Sequence, residues 1–127
     1  MGGNNIETDR IYLKMETGSL WKAGFEKELE QAKMARANGN EGKARVCARR
    51  AAGIAIQEYF FRAGLPYAPH SAYQNLSYLK NLPDAPPRVQ EIATHLLERV
   101  TPEHELPVKA DLIAEARWLA QILLGDQ

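Results

Sequence analysis

The segment from Gly42 to Gly64, GKARVCARRAAGIAIQEYFFRAG, constrains the fold more than any other part of the sequence. On a helix that turns by about 100° per residue, its alanines fall on one side, and such small residues let another helix approach closely. They are Ala44, Ala48, Ala51, Ala52 and Ala55. Beyond Arg50 the predicted helix is apolar nearly all round, which is typical of the central helix of a bundle.

The totals of the chain limit the classes of protein to which it can belong. Its 127 residues suffice for one domain with a real core, and 16 basic against 16 acidic residues give no overall attraction to nucleic acid or membrane. The run Ala51–Ile56 is far shorter than the roughly 20 apolar residues that span a bilayer. We therefore expect no membrane association. The N-terminus MGGNNIETDR lacks an apolar signal core, and the single Cys47 fits a reducing compartment, so we expect a cytoplasmic protein.

Helical patterns precede the central segment. Trp21, Phe25 and Leu29 recur at a helical spacing, Ser19 can cap the first turn, and Asn38-Gly39 supplies a stop signal. Residues 1–18 are different, because a short alternation of apolar and polar residues there does not decide between helix and strand. We expect residues 1–18 to form a loosely docked N-terminal arm and residues 19–127 to form the helical domain.

Three further helices follow. Ser71 opens a capping box, S-A-Y-Q, and Pro83 stops that helix. Pro86-Pro87 starts a fourth helix, whose apolar stripe comprises Val89, Ile92, Ala93, Leu96 and Val100. The last helix is expected to bury Leu112, Ala116, Leu119 and Leu123 and to end at Gly125. The sequence thus predicts an all-α, up-and-down bundle of four to five antiparallel helices.

This order of elements resembles the HEPN domain family. The features concerned are an amphipathic helix, a Gly-containing turn, an Ala-rich central helix ending in Arg-Ala-Gly, and a loop whose His70 opens the third helix. The resemblance covers about residues 20 to 124. It implies a helical bundle that often pairs as a two-fold dimer. It also implies an RNA-cleaving toxin, a partner of a small nucleotidyltransferase, or a nucleotide- or RNA-binding module. Gly53, Ile54 and Gln57 stand where many members carry charged residues along the second helix.

The ribonuclease branch of that family uses an Arg and a His that are separated by four to six residues. The Arg would stabilise charge on a phosphate and the His would act as general acid or base. Two pairs fit the spacing, Arg99 with His104 and Arg88 with His95. In both, Val follows the Arg where a polar residue is common. We favour the interpretation that all four are solvated surface residues, so that the chain has no catalytic residues.

A basic group at the start of the central helix is the candidate ligand-binding site. It comprises Lys43, Arg45, Arg49 and Arg50. Arg45 and Arg49 share a helix face, whereas the other two point elsewhere. One hypothesis is contact with a phosphate or RNA, helped by the positive helix N-terminus. The alternative is that the arginines pair with the acidic run EKELE, residues 26–30, of the preceding helix.

Other polar and aromatic residues carry no sharp signal. The three histidines show no metal-binding spacing, so we expect neither a metal nor a cofactor. Asp111 and Glu115 share a helix face and are interpreted as solvated acids. The aromatic residues at helical spacing are expected to be core residues with their hydroxyl groups at the rim. They are Tyr59, Phe60, Phe61, Tyr67, Tyr73 and Tyr78.

The sequence therefore favours a non-catalytic, HEPN-like module. We expect it to form a homodimer and to bind a protein partner, such as a nucleotidyltransferase, or a nucleotide or RNA. Two alternatives remain: a metal-independent, RNA-cleaving enzyme, and a purely structural interaction protein.

Overall fold

The protein is a bundle of α-helices. A computed structural model describes residues 2–64, 71–98 and 111–125, with side chains described from Leu20 onward. These ranges contain five helices and no strand. The helices are α1 (Gly2–Ala37), α2 (Glu41–Arg62), α3 (Ala72–Lys80), α4 (Pro87–Leu97) and α5 (Leu112–Leu124). The predicted all-α class is confirmed.

Helices α1 and α2 form a hairpin around a tight turn. Gly39 adopts a positive φ of 78°, and the side chain of Asn40 accepts a hydrogen bond from the amide of Lys43 at 3.1 Å, which caps α2. The stop and restart predicted here are confirmed. Helix α1 starts at Gly2, so Ser19 lies inside it and does not cap its first turn. The side chains of residues 1–19 are outside the described part, and the separate N-terminal arm stays a prediction.

Helix α2 is the centre of the bundle, as its composition predicts. It contacts each of the other four helices, and its five alanines are fully or almost fully buried. The buried residues Trp21, Phe25 and Leu29 of α1 belong to the same core. Small side chains on α2 let the neighbouring backbones approach, and the larger apolar residues of the surrounding helices fill the space between them.

Helices α3 and α4 begin at the residues that the sequence predicts, whereas the cap of α5 was not predicted. The Ser71 hydroxyl accepts a hydrogen bond from the amide of Gln74 at 3.4 Å, and Pro87 is the first residue of α4. Asp111 caps α5 by accepting from the amide of Ala114 at 3.3 Å, and Gly125 ends that helix at a φ of 72°. Val100, His70, Tyr67 and the pair Arg99 and His104 lie outside the described residues.

The helices in the described part of the chain are not suited to cross a membrane. None of its helices combines the length and the apolar character that a bilayer-spanning helix needs.

Candidate functional site: the Arg45 cavity

The structure separates the four basic residues of α2. Arg45 and Arg49 line one cavity, whereas Arg50 lines another on a different side of the helix. Lys43 is exposed in the first turn and lines neither of these two cavities. The shared face of Arg45 and Arg49 agrees with the prediction. The four residues do not form a single basic cluster.

Arg49 stabilises the end of a neighbouring helix. Its Nε donates to the backbone carbonyl of Leu96 at 2.8 Å, and one terminal nitrogen donates to the carbonyl of Glu98 at 3.4 Å. The last carbonyls of a helix have no partner within the helix, so Arg49 supplies donors that the end of α4 needs. These bonds also hold Leu97 and Glu98 in the wall of the cavity.

Arg45 lines the same cavity and forms no ion pair with any described residue. It is partly buried. The predicted acidic partner Glu26 instead forms a bidentate pair with Arg117 of α5, at 2.9 and 3.0 Å. The guanidinium of Arg45 is therefore available to an anion from outside the described chain.

Apart from Arg45, Arg49 and Glu98, the cavity wall is apolar and aromatic. We call this space of about 340 Å³ the Arg45 cavity; its walls come from the start of α2, the start of α3 and the end of α4. Its lining residues are Gly42, Arg45, Val46, Arg49, Tyr73, Leu97 and Glu98. Val46 is 40% exposed and Tyr73 48% exposed, although Tyr73 was interpreted as a core residue. A cation beside an open aromatic ring can bind an anionic group that is attached to a flat ring.

Sequence reasoning missed Tyr73 and Glu98, the two polar members of this cavity besides the arginines. Tyr73 lies two residues after Ser71, the cap of α3. Its place in the exposed first turn of that helix was the signal that its ring faces outward. Glu98 reaches the cavity only because α4 ends next to α2, and no local sequence pattern encodes that arrangement.

His95 has a partner that the sequence did not indicate. Its Nδ1 lies 2.8 Å and 3.0 Å from the two carboxylate oxygens of Glu115 on α5. Glu115 is only 9% exposed, so its interpretation as a solvated acid was wrong. Its spacing of three and four residues from the buried Leu112 and Leu119 was the signal for burial.

Arg88 and His95, one of the two pairs singled out in the sequence, bind different carboxylates. Arg88 is exposed and binds the carboxylate of Glu91 at 3.0 Å, whereas His95 binds Glu115. Neither residue lines the Arg45 cavity. Arg99 and His104, the other predicted pair, lie outside the described residues.

Asp111 has a structural role at the start of α5. It caps the helix, and Arg36 of α1 donates to its carboxylate at 3.0 Å while also binding Glu41. Burial alone would raise the pKa of Asp111, but the hydrogen bonds from Arg36 and the helix amides outweigh it and hold that pKa below its ordinary value. The ion pairs of Arg36 tie α5 to the α1–α2 hairpin.

The described ranges contain no candidate metal site, because no three His, Cys, Asp or Glu side chains there lie close enough together to hold a metal ion.

Comparison with known proteins gives no match to this chain among protein-family models, curated proteins or solved structures. Its function is inferred below from its own residues.

Proposed function

We propose that the protein is a non-catalytic, HEPN-type helical module that binds a nucleotide or single-stranded RNA in the Arg45 cavity. One observation carries the proposal: Arg45 lies without an ionic partner among the described residues in a cavity that it shares with the half-exposed ring of Tyr73. A nucleotide combines the two matching groups, a phosphate and a flat base.

Each side of the cavity matches one part of such a ligand. A guanidinium donates two parallel hydrogen bonds to a phosphate, and the positive start of α2 beside it adds to the attraction. Tyr73 offers a ring on which a base can stack, an interaction worth about 1–3 kcal/mol per base. The carboxylate of Glu98 can accept hydrogen bonds from a ribose hydroxyl or a base amino group. Arg49 keeps this wall in place through the carbonyls of Leu96 and Glu98.

Binding without cleavage is favoured by the placement of the candidate catalytic residues. A general acid or base must come within hydrogen-bond reach of the reacting group. Arg88 and His95 bind Glu91 and Glu115, respectively, and neither lines the cavity with Arg45. The His95–Glu115 pair connects α4 to α5 and is assigned a structural role in this proposal.

Homodimer formation is part of the same proposal. Trp118 is 55% exposed and lies one helical turn from the exposed Ile122 on α5. An apolar pair of this size on one helix face favours contact with a second protein surface, either another copy of the chain or a nucleotidyltransferase-type partner. Light scattering during size-exclusion chromatography tests the dimer, for which we expect a mass near twice 14.2 kDa.

Fluorescence anisotropy with a labelled single-stranded oligoribonucleotide tests the ligand, with AMP as the competing mononucleotide. We expect Arg45→Ala to weaken binding about tenfold or more, since a hydrogen bond to a charged group contributes about 1.5–3 kcal/mol. Tyr73→Ala should also weaken it. Arg88→Ala is the matched control, because it removes an exposed arginine outside the cavity. Equal binding by the Arg45 and Arg88 variants, or no binding by the wild type, would contradict the proposal.

A further inference from the structure

A second cavity, on a different side of α2, is lined by residues with polar atoms that lack partners in the described ranges. It has a volume of about 220 Å³ and lies between α1, α2 and α3. Its polar lining residues are Glu28, Arg50, Gln57 and Asn75, and Ile54 and Ala72 form apolar wall. We call it the Asn75 cavity. It shares no lining residue with the Arg45 cavity.

Asn75 is the least expected residue in this place. Its side chain is 1% exposed, yet neither its Nδ2 nor its Oδ1 has a hydrogen-bond partner among the described residues. Glu28 Oε1 is also buried and has no hydrogen-bond partner in the part of the chain that the structure describes. Each unpaired buried polar atom costs about 1–3 kcal/mol, and such atoms are rare in native proteins. All three atoms belong to residues that line one cavity, so a molecule bound there, with a small turn of these side chains, could complete their hydrogen bonds.

The groups present define the chemistry of that molecule. Glu28 Oε1 and Asn75 Oδ1 require donors, whereas Asn75 Nδ2 requires an acceptor. Arg50 adds a positive group, and it forms no ion pair with Glu28 or with any other described residue. One negative and one positive side chain that do not pair with each other suit a ligand that carries both charges.

We propose that the Asn75 cavity binds a free α-amino acid. Its ammonium group would donate to Glu28 Oε1 and Asn75 Oδ1, and its carboxylate would accept from Arg50 and Asn75 Nδ2. An apolar side chain would lie against Ile54 and Ala72. Drug-sized ligands occupy pockets of about 300–1,000 Å³, so a cavity of about 220 Å³ fits a smaller molecule such as this.

The cavity is held in shape by a close approach of two helices. A Cβ built on Gly53 of α2 would lie 2.8 Å from Cβ of Ala72, so the start of α3 sits directly against α2. Asn75, one turn further along α3, is thereby fixed relative to Arg50 and Gln57 of α2. A pocket whose helices are already fixed binds a small ligand at a lower ordering cost.

Thermal unfolding in the presence of millimolar L-valine or L-alanine tests the proposal. Two matched probes each lack one charge: N-acetyl-L-valine has no ammonium group and L-valinamide has no carboxylate. We expect the free amino acids to raise Tm and the two blocked compounds to leave it unchanged. Glu28→Gln should abolish the shift, while Glu30→Gln, an exposed control on the same helix, should retain it.

Asn75→Leu separates ligand binding from folding. If a ligand completes the bonds of Asn75, this variant loses the Tm shift, and its own Tm in the absence of amino acid is equal to or above that of the wild type. Three results would overturn the proposal: no shift with any free amino acid, an equal shift with the blocked probes, or a shift that survives Glu28→Gln. Water alone in the cavity would give the first result. Oligonucleotide binding at the Arg45 cavity is independent of each of these results.

Discussion

Gly53 of α2 and Ala72 of α3 meet so closely that a methyl group on Gly53 would lie 2.8 Å from Cβ and 3.0 Å from Cα of Ala72. Real Cβ atoms do not approach backbone atoms of another helix at such distances without displacing them. This contact sets the position of α3, and α3 supplies Tyr73 to the Arg45 cavity and Asn75 to the Asn75 cavity. One glycine therefore affects the geometry of both.

Gly53→Ala should destabilise the protein by up to about 2 kcal/mol. Alanine favours a helix over glycine by about 1 kcal/mol, but the overlap with Ala72 costs about 1–3 kcal/mol, and α3 would have to shift. Urea unfolding measures the change. Gly24→Ala is the control, since its Cβ would contact only the flexible Cδ1 of Ile54 at 3.5 Å, and it should stabilise the protein by about 0.5–1 kcal/mol. A Gly53→Ala variant as stable as the Gly24 variant would contradict this account.

Arg49 and Arg45 should differ sharply in their effect on stability. Arg49→Ala leaves the carbonyls of Leu96 and Glu98 without this donor, which should cost about 1–3 kcal/mol of unfolding free energy and speed hydrogen exchange in the last turn of α4. Arg45→Ala should change stability by less than about 0.5 kcal/mol, since it breaks no bond to a described residue. Urea unfolding and amide exchange check both. Similar losses in the two variants would show that Arg45 is structural as well.

The contact between His95 and Glu115 should also be structural. Glu115→Ala removes a carboxylate that lies within 2.8 Å of His95 Nδ1 in a mostly buried position, and the protein should lose about 1–3 kcal/mol of stability. Glu91→Ala breaks the exposed pair with Arg88 and should cost less than about 1 kcal/mol. Denaturant unfolding compares the two. If the two variants lose the same unfolding free energy, Glu115 does not hold α4 to α5.

Acid should weaken the protein partly through two carboxylates. The hydrogen bond from Arg117 holds the pKa of Glu26 below its ordinary value of 4.5, and Asp111 is held below 3.8 by Arg36 and the helix amides against the effect of burial. A lowered folded-state pKa stabilises the protein above the unfolded-state pKa, and this stabilisation disappears as the pH falls through the folded-state value.

Glu26→Gln combined with Asp111→Asn should therefore flatten the fall of Tm between about pH 5 and pH 3, with little change near pH 2. Asparagine is also a good N-cap, so the second substitution tests charge more than capping. The ion pairs of Asp111 with Arg36 and of Glu26 with Arg117 are half exposed, so each should contribute no more than about 1 kcal/mol to the free energy of unfolding. Thermal melts across this pH range measure the effect. If Tm of the double variant depends on pH as Tm of the wild type does, neither ion pair contributes to the loss of stability in acid.

Local signals in the sequence were sufficient to predict the position of α2 and several helix ends. The alanine face placed α2 at the centre, and Asn40, Ser71 and Gly125 stand at the ends of helices because capping depends on residues close in sequence. Ser19 shows the limit of this reasoning: a residue that can cap a helix does not end one when the chain on both sides remains helical.

The candidate sites depended on contacts between distant residues. Arg49 binds backbone carbonyls, which every residue carries, so its partners leave no pattern in the sequence. Glu115 and Asn75 are polar residues on buried faces, and a helical wheel shows only that they share a face with leucines. Which residue each one meets depends on how α1 to α5 pack together.

Backbone amide shifts in an NMR titration with a short single-stranded oligoribonucleotide test the central claim most directly. The account predicts shifts concentrated around the Arg45 cavity, at Gly42, Arg45, Val46, Tyr73, Leu97 and Glu98. In Arg45→Ala those shifts should require at least about tenfold more oligonucleotide, and in Arg88→Ala they should be unchanged. No shifts at saturating oligonucleotide, or shifts centred on Trp118 and Ile122 of α5, would contradict a nucleotide or RNA site in the Arg45 cavity.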